Sequence, residues 1–327
     1  MDAFFNSKNI IKCHEEITLF FVNYFLAKGY REQKSVSIIS KKDHSVRFTG
    51  STTNVFKTKI FSNNKIIEPG LLLIQKCLRT QNSIFLSDDQ IFPEWGSYFT
   101  EIGLVAPASN LKKITVDTLN FFSDILKIEK SRIILRACSS DKDILDCIKD
   151  LDLSIEINGL AKKCYRHKYG VEKAMGRNFN IAIKNSITGQ IKDIGNIVII
   201  EMDNNIIAVE MGFGISTLLA GYYNLSNSIE ASVISSVIPI EKGYKSKFSD
   251  ALSSVVVMLR ENIRPTGRGE GRILRDYLFG LKYLAKKLNI SIEEIMIFAT
   301  AFEELEFKNT RFVCDKILLY LGSDFQQ

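Results

Sequence analysis

The stretch NIVIIEMDNNIIAVEMGFGIS, Asn196 to Ser216, decides the fold. Asn196–Met202 and Ile206–Met211 are short apolar runs of strand type. Asp203-Asn204-Asn205 lies between them, and Asn and Asp tolerate the left-handed geometry of a tight turn. The segment therefore reads as an antiparallel hairpin. Its second strand runs into Gly212 and Gly214 and then into an apolar, helix-like run through Leu219. Glycines at a strand end let a ligand approach the backbone, or let the chain itself pack closely. A third glycine and a βαβ setting are missing, so this is no dinucleotide fingerprint.

Working outward, Phe179–Lys184 is a further strand, and Ile133–Leu135 a short one. Leu71–Cys77 reads as a buried strand after the Pro69-Gly70 break, and Ile91–Ile102 as a strand region after a polar loop, Gln81–Gln90. Val36–Ser40, Val46–Thr49 and Val55–Ile60 read as extended. Helical spacing marks 13–28, stopped by Gly29, then 114–127 and Asp141–Leu151. After about Tyr223 the pattern changes. Ser226–Ile234, Lys247–Glu261, Gly271–Leu288 and Ile292–Glu306 read as helices. The expectation is an α+β unit with a mixed antiparallel sheet, followed by an α-helical unit; clean βαβ alternation is absent.

Composition narrows the functional classes. The chain has 327 residues, 46% hydrophobic and 24% charged, with a formal charge of +6. That describes a folded chain able to bury a core, and it permits a nucleotide or RNA partner without requiring one. Leu19–Val22 is far short of the roughly 20 apolar residues a bilayer span needs. No signal peptide is expected. Six cysteines form no CxxC pair, and three histidines (His14, His44, His167) no HxxxH pair. A zinc ribbon, a disulfide framework and a histidine-rich metal site are thus not expected, and the cytoplasm is the expected compartment.

Four segments carry residue types suited to chemistry. Gln75–Thr80 ends a strand on Arg79, which suits bidentate phosphate binding or a plain surface role. Phe92–Phe99 sets aromatics beside Glu94 and Gly96, fit for stacking a purine or for core packing. Glu210–Ser216 holds the glycine pair. Arg264–Arg275 has four arginines around three glycines near a helix start, fit for a polyanion or for a solvated loop.

In this order the segments resemble the aminoacylation region of alanyl-tRNA synthetase, a class II synthetase, over nearly the whole chain. Phe20–Gly29, Phe48–Gly50 and Val55–Lys57 look like the family's first motif. Gln75–Thr80 is similar to the second, with Glu94 and Gly96 on its returning strand. Gly195–Val198 is similar to a segment lining the alanine pocket, Glu210–Gly214 to the third motif, and Pro265–Arg275 to the turn opening the tRNA-recognition helices. The resemblance implies a class II catalytic unit over residues 1–224 and a helical tRNA-recognition unit over 225–327. It implies that Arg79 binds the α-phosphate of ATP and stabilises charge in the transition state. Glu94 with Phe92 or Phe99 would hold adenine, beside Gly212 and Gly214. Asn196 and Glu210 would surround the ammonium and carboxylate of the amino acid, and Tyr165 would form an aromatic wall. Arg268, Arg272 and Arg275 would meet RNA. Mg²⁺ would accompany ATP. The implied activity is adenylation of alanine or another small amino acid, with transfer to tRNA or to a small-molecule or carrier acceptor.

The departures from the family are specific. Its third-motif arginine aligns with Thr217, and its pocket aspartate with Glu210, one methylene longer. Its cysteine- and proline-rich turn is replaced by Gly170–Gly176. An asparagine that reads the acceptor stem aligns with Gly267. The sequence thus reads as a divergent, stand-alone paralogue. The alternative is a catalytically degenerate one that binds nucleotide, amino acid or RNA, or regulates a partner.

Overall fold

A computed structural model describes residues 9–40, 43, 45–61, 66–239, 243–311 and 313–321. One mixed sheet organises the first two thirds of the chain. Its strands are β1 (Arg31–Glu32), β2 (Leu71–Leu78), β3 (Tyr98–Pro107), β4 (Ile133–Ala137), β5 (Ser154–Ile157), β6 (Arg166–Lys168), β7 (Ala174–Lys184), β8 (Ile191–Met202) and β9 (Asn205–Gly214). They run in the order β1-β2-β3-β9-β8-β7-β4-β5, with β6 pairing β7 off that path. Only β1–β2 and β4–β5 are parallel. The decisive hairpin is β8–β9, joined through Asp203 and Asn204, both at positive φ. Two consecutive left-handed residues match the twist of the strands they join.

Alternation splits the central strands between two faces. Ile102 and Leu104 of β3, Met211 and Phe213 of β9, Ile197 and Ile199 of β8, and Phe179 and Ile181 of β7 enter one core. That core includes Phe21 and Phe25 of α1 (Ile10–Ala27) and Ile114 of α3 (Leu111–Asn120). Lower down the opposite face, Leu73, Val105, Val198 and Ala208 pack under Phe56 and Ile60 of α2 (Thr52–Ile60). The rest of that face is left for a cleft.

From Asn224 onward no residue among those described is in a strand. After α4 (Lys142–Ile148) and α5 (Ile215–Tyr222), the chain forms α6 (Tyr244–Arg260), α7 (Gly269–Leu288), α8 (Ile292–Phe307) and α9 (Val313–Leu321). These last four bury a second core that also takes Leu78 and Tyr98 from the sheet. No helix among the described residues is long and apolar enough to cross a membrane.

Four expectations need correction. Val55–Ile60 is helical, not extended. Ser51 and Asn54 form a capping box, and Thr52, Phe56 and Ile60 are buried at four-residue spacing, which outweighs the β-branched content. The strand expected from Ile91 begins at Tyr98 and runs on to Pro107. Pro93 and Gly96 keep 91–97 irregular. Ser226–Ile234 is not one helix. It contains a short 3₁₀ turn, Ser228–Ala231, with a second following at Val233–Ser236. The Ser232 and Ser235 hydroxyls donate to the carbonyls of Ile229 and Ser232 and so compete with helix continuation. The helix expected to run to residue 127 ends at Asn120 in a π turn, Phe121–Ile125.

Candidate active site

The cleft lies on the sheet face opposite the main core and has a volume of about 660 Å³. Its floor is built largely from alternate residues of three adjacent strands, with Ile194, Gly195 and Phe213 also reaching it. Phe99 and Glu101 come from β3, Glu210, Gly212 and Gly214 from β9, and Asn196 and Val198 from β8. Register explains the grouping: Glu101 lies opposite Gly214, and Gly212 opposite Asn196. Gly212 keeps the floor open, since a Cβ there would come within 2.9 Å of Glu101 Oε1.

Arg79 stands at the end of β2, with 43% of its side chain exposed. Its Nε donates to the Gly50 carbonyl at 2.6 Å, and its guanidinium lies 4.8 Å from the centre of the Phe99 ring. An Nη lies 3.6 Å from Glu101 Oε2. The backbone N–H of Arg79 donates to the Ser97 carbonyl at 2.8 Å, which ties β2 to the chain entering β3.

α2 forms one wall. Gly103 of β3 has no side chain, and any Cβ there would collide with Thr52. This close seating lets the Thr52 N–H donate to Glu101 Oε2 at 3.2 Å. The Thr53 hydroxyl lies 2.5 and 2.6 Å from the two oxygens of Glu210, and the Thr52 hydroxyl 3.2 Å from one of them.

Two buried carboxylates therefore share the floor. Burial raises the Glu210 pKa to about 7; the Thr53 and Thr52 hydroxyls and Arg79 oppose the rise, and the Glu101 charge adds to it. Burial raises Glu101 as well, against Arg79 and the Thr52 N–H. Beside Asn196, Asn180 Nδ2 donates to Asp193 Oδ2 at 2.7 Å, and Asp193 is held by Arg136 at 3.0 Å.

The cleft brings together Arg79, Phe99, Asn196, Glu210, Gly212 and Gly214. Thr217 lines it too. Three expected residues fall elsewhere. The Glu94 side chain is 69% exposed and points to Lys192, 3.5 Å away, because the irregular 91–97 segment turns it out of the cleft. Phe92 packs edge-on to Tyr244 and under Lys247. Tyr165 is fully buried, its hydroxyl accepting from the Leu160 N–H at 3.3 Å. Its neighbours Cys164, His167 and Tyr169 line the cleft instead. Sequence reasoning also missed Glu101, Thr53, Asn180 and Asp193.

Arg268, Arg272 and Arg275 are exposed, as is Arg264. α7 begins at Gly269, two residues before the expected Gly271, with Arg268 at its N-cap. Of the histidines, His14 bonds the Ala231 carbonyl, His167 lines the cleft with its pKa lowered by burial, and His44 lies outside the described residues. No group of three or more His, Cys, Asp or Glu among the described residues could hold a metal ion.

No family model and no curated protein matches the sequence. Solved structures similar to it include an asparaginyl-tRNA synthetase from Pyrococcus horikoshii complexed with asparaginyl-adenylate. It is 12% identical over 69% of this chain and 68% of that one, with a TM-score of 0.40. Apo histidyl-tRNA synthetase of S. aureus is 10% identical over 69% and 73%, with a TM-score of 0.42. A pyrrolysyl tRNA synthetase of Desulfitobacterium hafniense is 9% identical over 66% and 71%, with a TM-score of 0.40. The likeness is distant, and any chemistry must rest on the residues of the cleft themselves.

Proposed function

We propose that this chain forms an aminoacyl-adenylate. It activates alanine or another small amino acid with ATP and passes the acyl group to tRNA or to a small-molecule or carrier acceptor. Residues 1–224 would be the catalytic unit and 225–327 the RNA-facing one. One observation carries the reading. A phosphate-type arginine, a stacking ring, an open glycine floor and an ammonium-type carboxylate, each from a motif of the expected order, meet in one cleft.

The residues present fit a nucleotide. Arg79 and Phe99 offer a cation beside a ring, and Gly212 and Gly214 leave room for a ligand to reach the backbone. The described residues hold no preformed cage for Mg²⁺, which would enter with the phosphates and supply charge neutralisation there. Glu210 and Asn196 would orient the amino acid by its ammonium group. Arg79 would hold the phosphorus centre at which the amino-acid carboxylate forms its bond while pyrophosphate leaves. No side-chain nucleophile is needed; positioning and fixed positive charge do the work.

ATP-pyrophosphate exchange tests this. Exchange with a small amino acid is expected in the wild type. Arg79→Ala should lower it by at least about a hundredfold, the scale of losing one transition-state donor, with the far-UV spectrum unchanged because the side chain is half exposed. Near-wild-type exchange by that variant removes Arg79 from the chemistry. A second reading, a binder without catalysis, is favoured by Thr217 at the family's arginine position. No exchange across all amino acids, together with ATP or amino-acid binding, would select it.

A further inference from the structure

Asp250 belongs to α6, in the helical part, and is only 3% exposed. Its carboxylate leaves the helical core and holds the chain that enters β3. Oδ1 accepts from the Ser97 N–H at 2.5 Å. Oδ2 accepts from the Ser97 hydroxyl at 2.8 Å and from Asn82 Nδ2 at 3.1 Å. The Tyr277 hydroxyl of α7 lies 2.6 Å from the Ser97 hydroxyl. Asn82 Nδ2 donates in addition to the Trp95 carbonyl at 2.8 Å.

These bonds converge on the cleft. Trp95 and Gly96 line it, and the carbonyl of Ser97 receives the backbone N–H of Arg79. Gly96 passes close enough to Asp250 that a Cβ there would lie 3.6 Å from Oδ1. A buried carboxylate is costly unless its lone pairs are satisfied, and here every acceptor contact is made with the segment that forms the cleft wall or with the turn after Arg79.

We propose that Asp250 is a positioning residue through which the helical part sets the Trp95–Ser97 wall and the approach of Arg79 to the cleft. The consequence for ligand binding rests on the adenylating reading; the effect on the wall does not. Trp95 is the chain's single tryptophan and is 39% exposed, so its fluorescence reports the wall directly.

The test compares wild type with Asp250→Asn, which keeps the shape but replaces one acceptor oxygen with a donor. A native far-UV spectrum is expected. Trp95 emission should shift to the red, and its acrylamide quenching constant should rise about twofold as the wall loosens. ATP binding, followed by calorimetry, should weaken about tenfold, equivalent to about 1.4 kcal/mol. A folded variant with wild-type emission, quenching and ATP affinity overturns the proposal. So does one that is merely less stable and leaves Trp95 unchanged. A wild type that binds no ATP defeats the adenylating reading alone, and the fluorescence comparison still decides the positioning role. Should Asp250→Asn not fold, Tyr277→Phe removes the hydroxyl contact to Ser97 and leaves the Asp250 carboxylate in place. A smaller red shift is then expected, and none in a folded protein counts against the role.

Discussion

Glu210 carries an electrostatic cost in the cleft. Its carboxyl has an ordinary value of 4.5 and is pushed to about 7 in the folded chain. The groups facing it are Thr52 and Thr53 from α2, Glu101 from β3, Arg79 just after β2 and, beyond β6, Tyr169. Between these two values the folded chain binds the proton more tightly than the unfolded one. Stability is therefore lost as pH rises through that window, by roughly 3 kcal/mol for a shift of this size. Glu210→Gln should unfold at a higher temperature than wild type at pH 8, and the difference should shrink toward pH 5. Thermal melts at the two pH values check this; a difference independent of pH would contradict it. Under the proposed function the same variant weakens amino-acid binding more than ATP binding, because it removes the charge opposite the ammonium. Glu210 and Asn196 were legible because a hairpin with a glycine-pair exit fixes which side chains share a face. Glu101 follows from the same alternation, two residues beyond Phe99. Thr53 does not, because Val55–Ile60 reads as extended until the capping box at Ser51 is seen. Asp250 offers no sequence signal at all, since one acid in an amphipathic helix is ordinary.

At the scale of elements, α2 depends on one missing side chain. Its first residue sits where a Cβ on Gly103 would be, and the obstructing atoms belong to a short, branched threonine. Gly103→Ala should push α2 away from β3, separating Thr52 from Glu101 and Thr53 from Glu210. Overpacking of this kind costs about 1–3 kcal/mol, read as a lower urea midpoint, and ligand affinity should fall with it; an unchanged midpoint would show that α2 yields without cost. The strands of the hairpin were legible from their apolar runs, and β2 from its position after Pro69-Gly70. The start of β3 was not. Its preceding segment has strand-like aromatics, but it is held by Asn82, Ser228 and Asp250, the last two of which lie far away in the sequence.

At the scale of the whole molecule, the two parts meet through groups more than 200 residues apart. Glu306 of α8 accepts from the Tyr98 hydroxyl at 2.7 Å and pairs with Lys76 at 2.9 Å. Sequence pattern reveals the existence of a helical part, but not such contacts, which arise only from the docked geometry. Exposed Arg264, Arg268, Arg272 and Arg275 lie around the start of α7, where Arg47 reaches the Gly269 carbonyl at 3.4 Å. Under the proposed function such a group would meet phosphates and read no bases. On that reading any tRNA binding is expected to be weak, not selective for alanine tRNA and steeply salt-dependent. Replacing Arg272 with alanine should reduce the slope of log affinity against log salt by about one unit. Filter binding across a salt series checks this, and tight binding selective for alanine tRNA would refute it. Alternation along the central strands also separates two kinds of change. Residues that face the cleft and residues that fill the core mostly succeed one another along the same strands, with Phe213 and Ile194 serving both. Under the proposed function, substrate preference can thus drift at Asn196, Phe99 or Glu210 while Ile197, Met211 and Ile102 stay fixed, so the architecture lets chemistry diverge without renegotiating the fold.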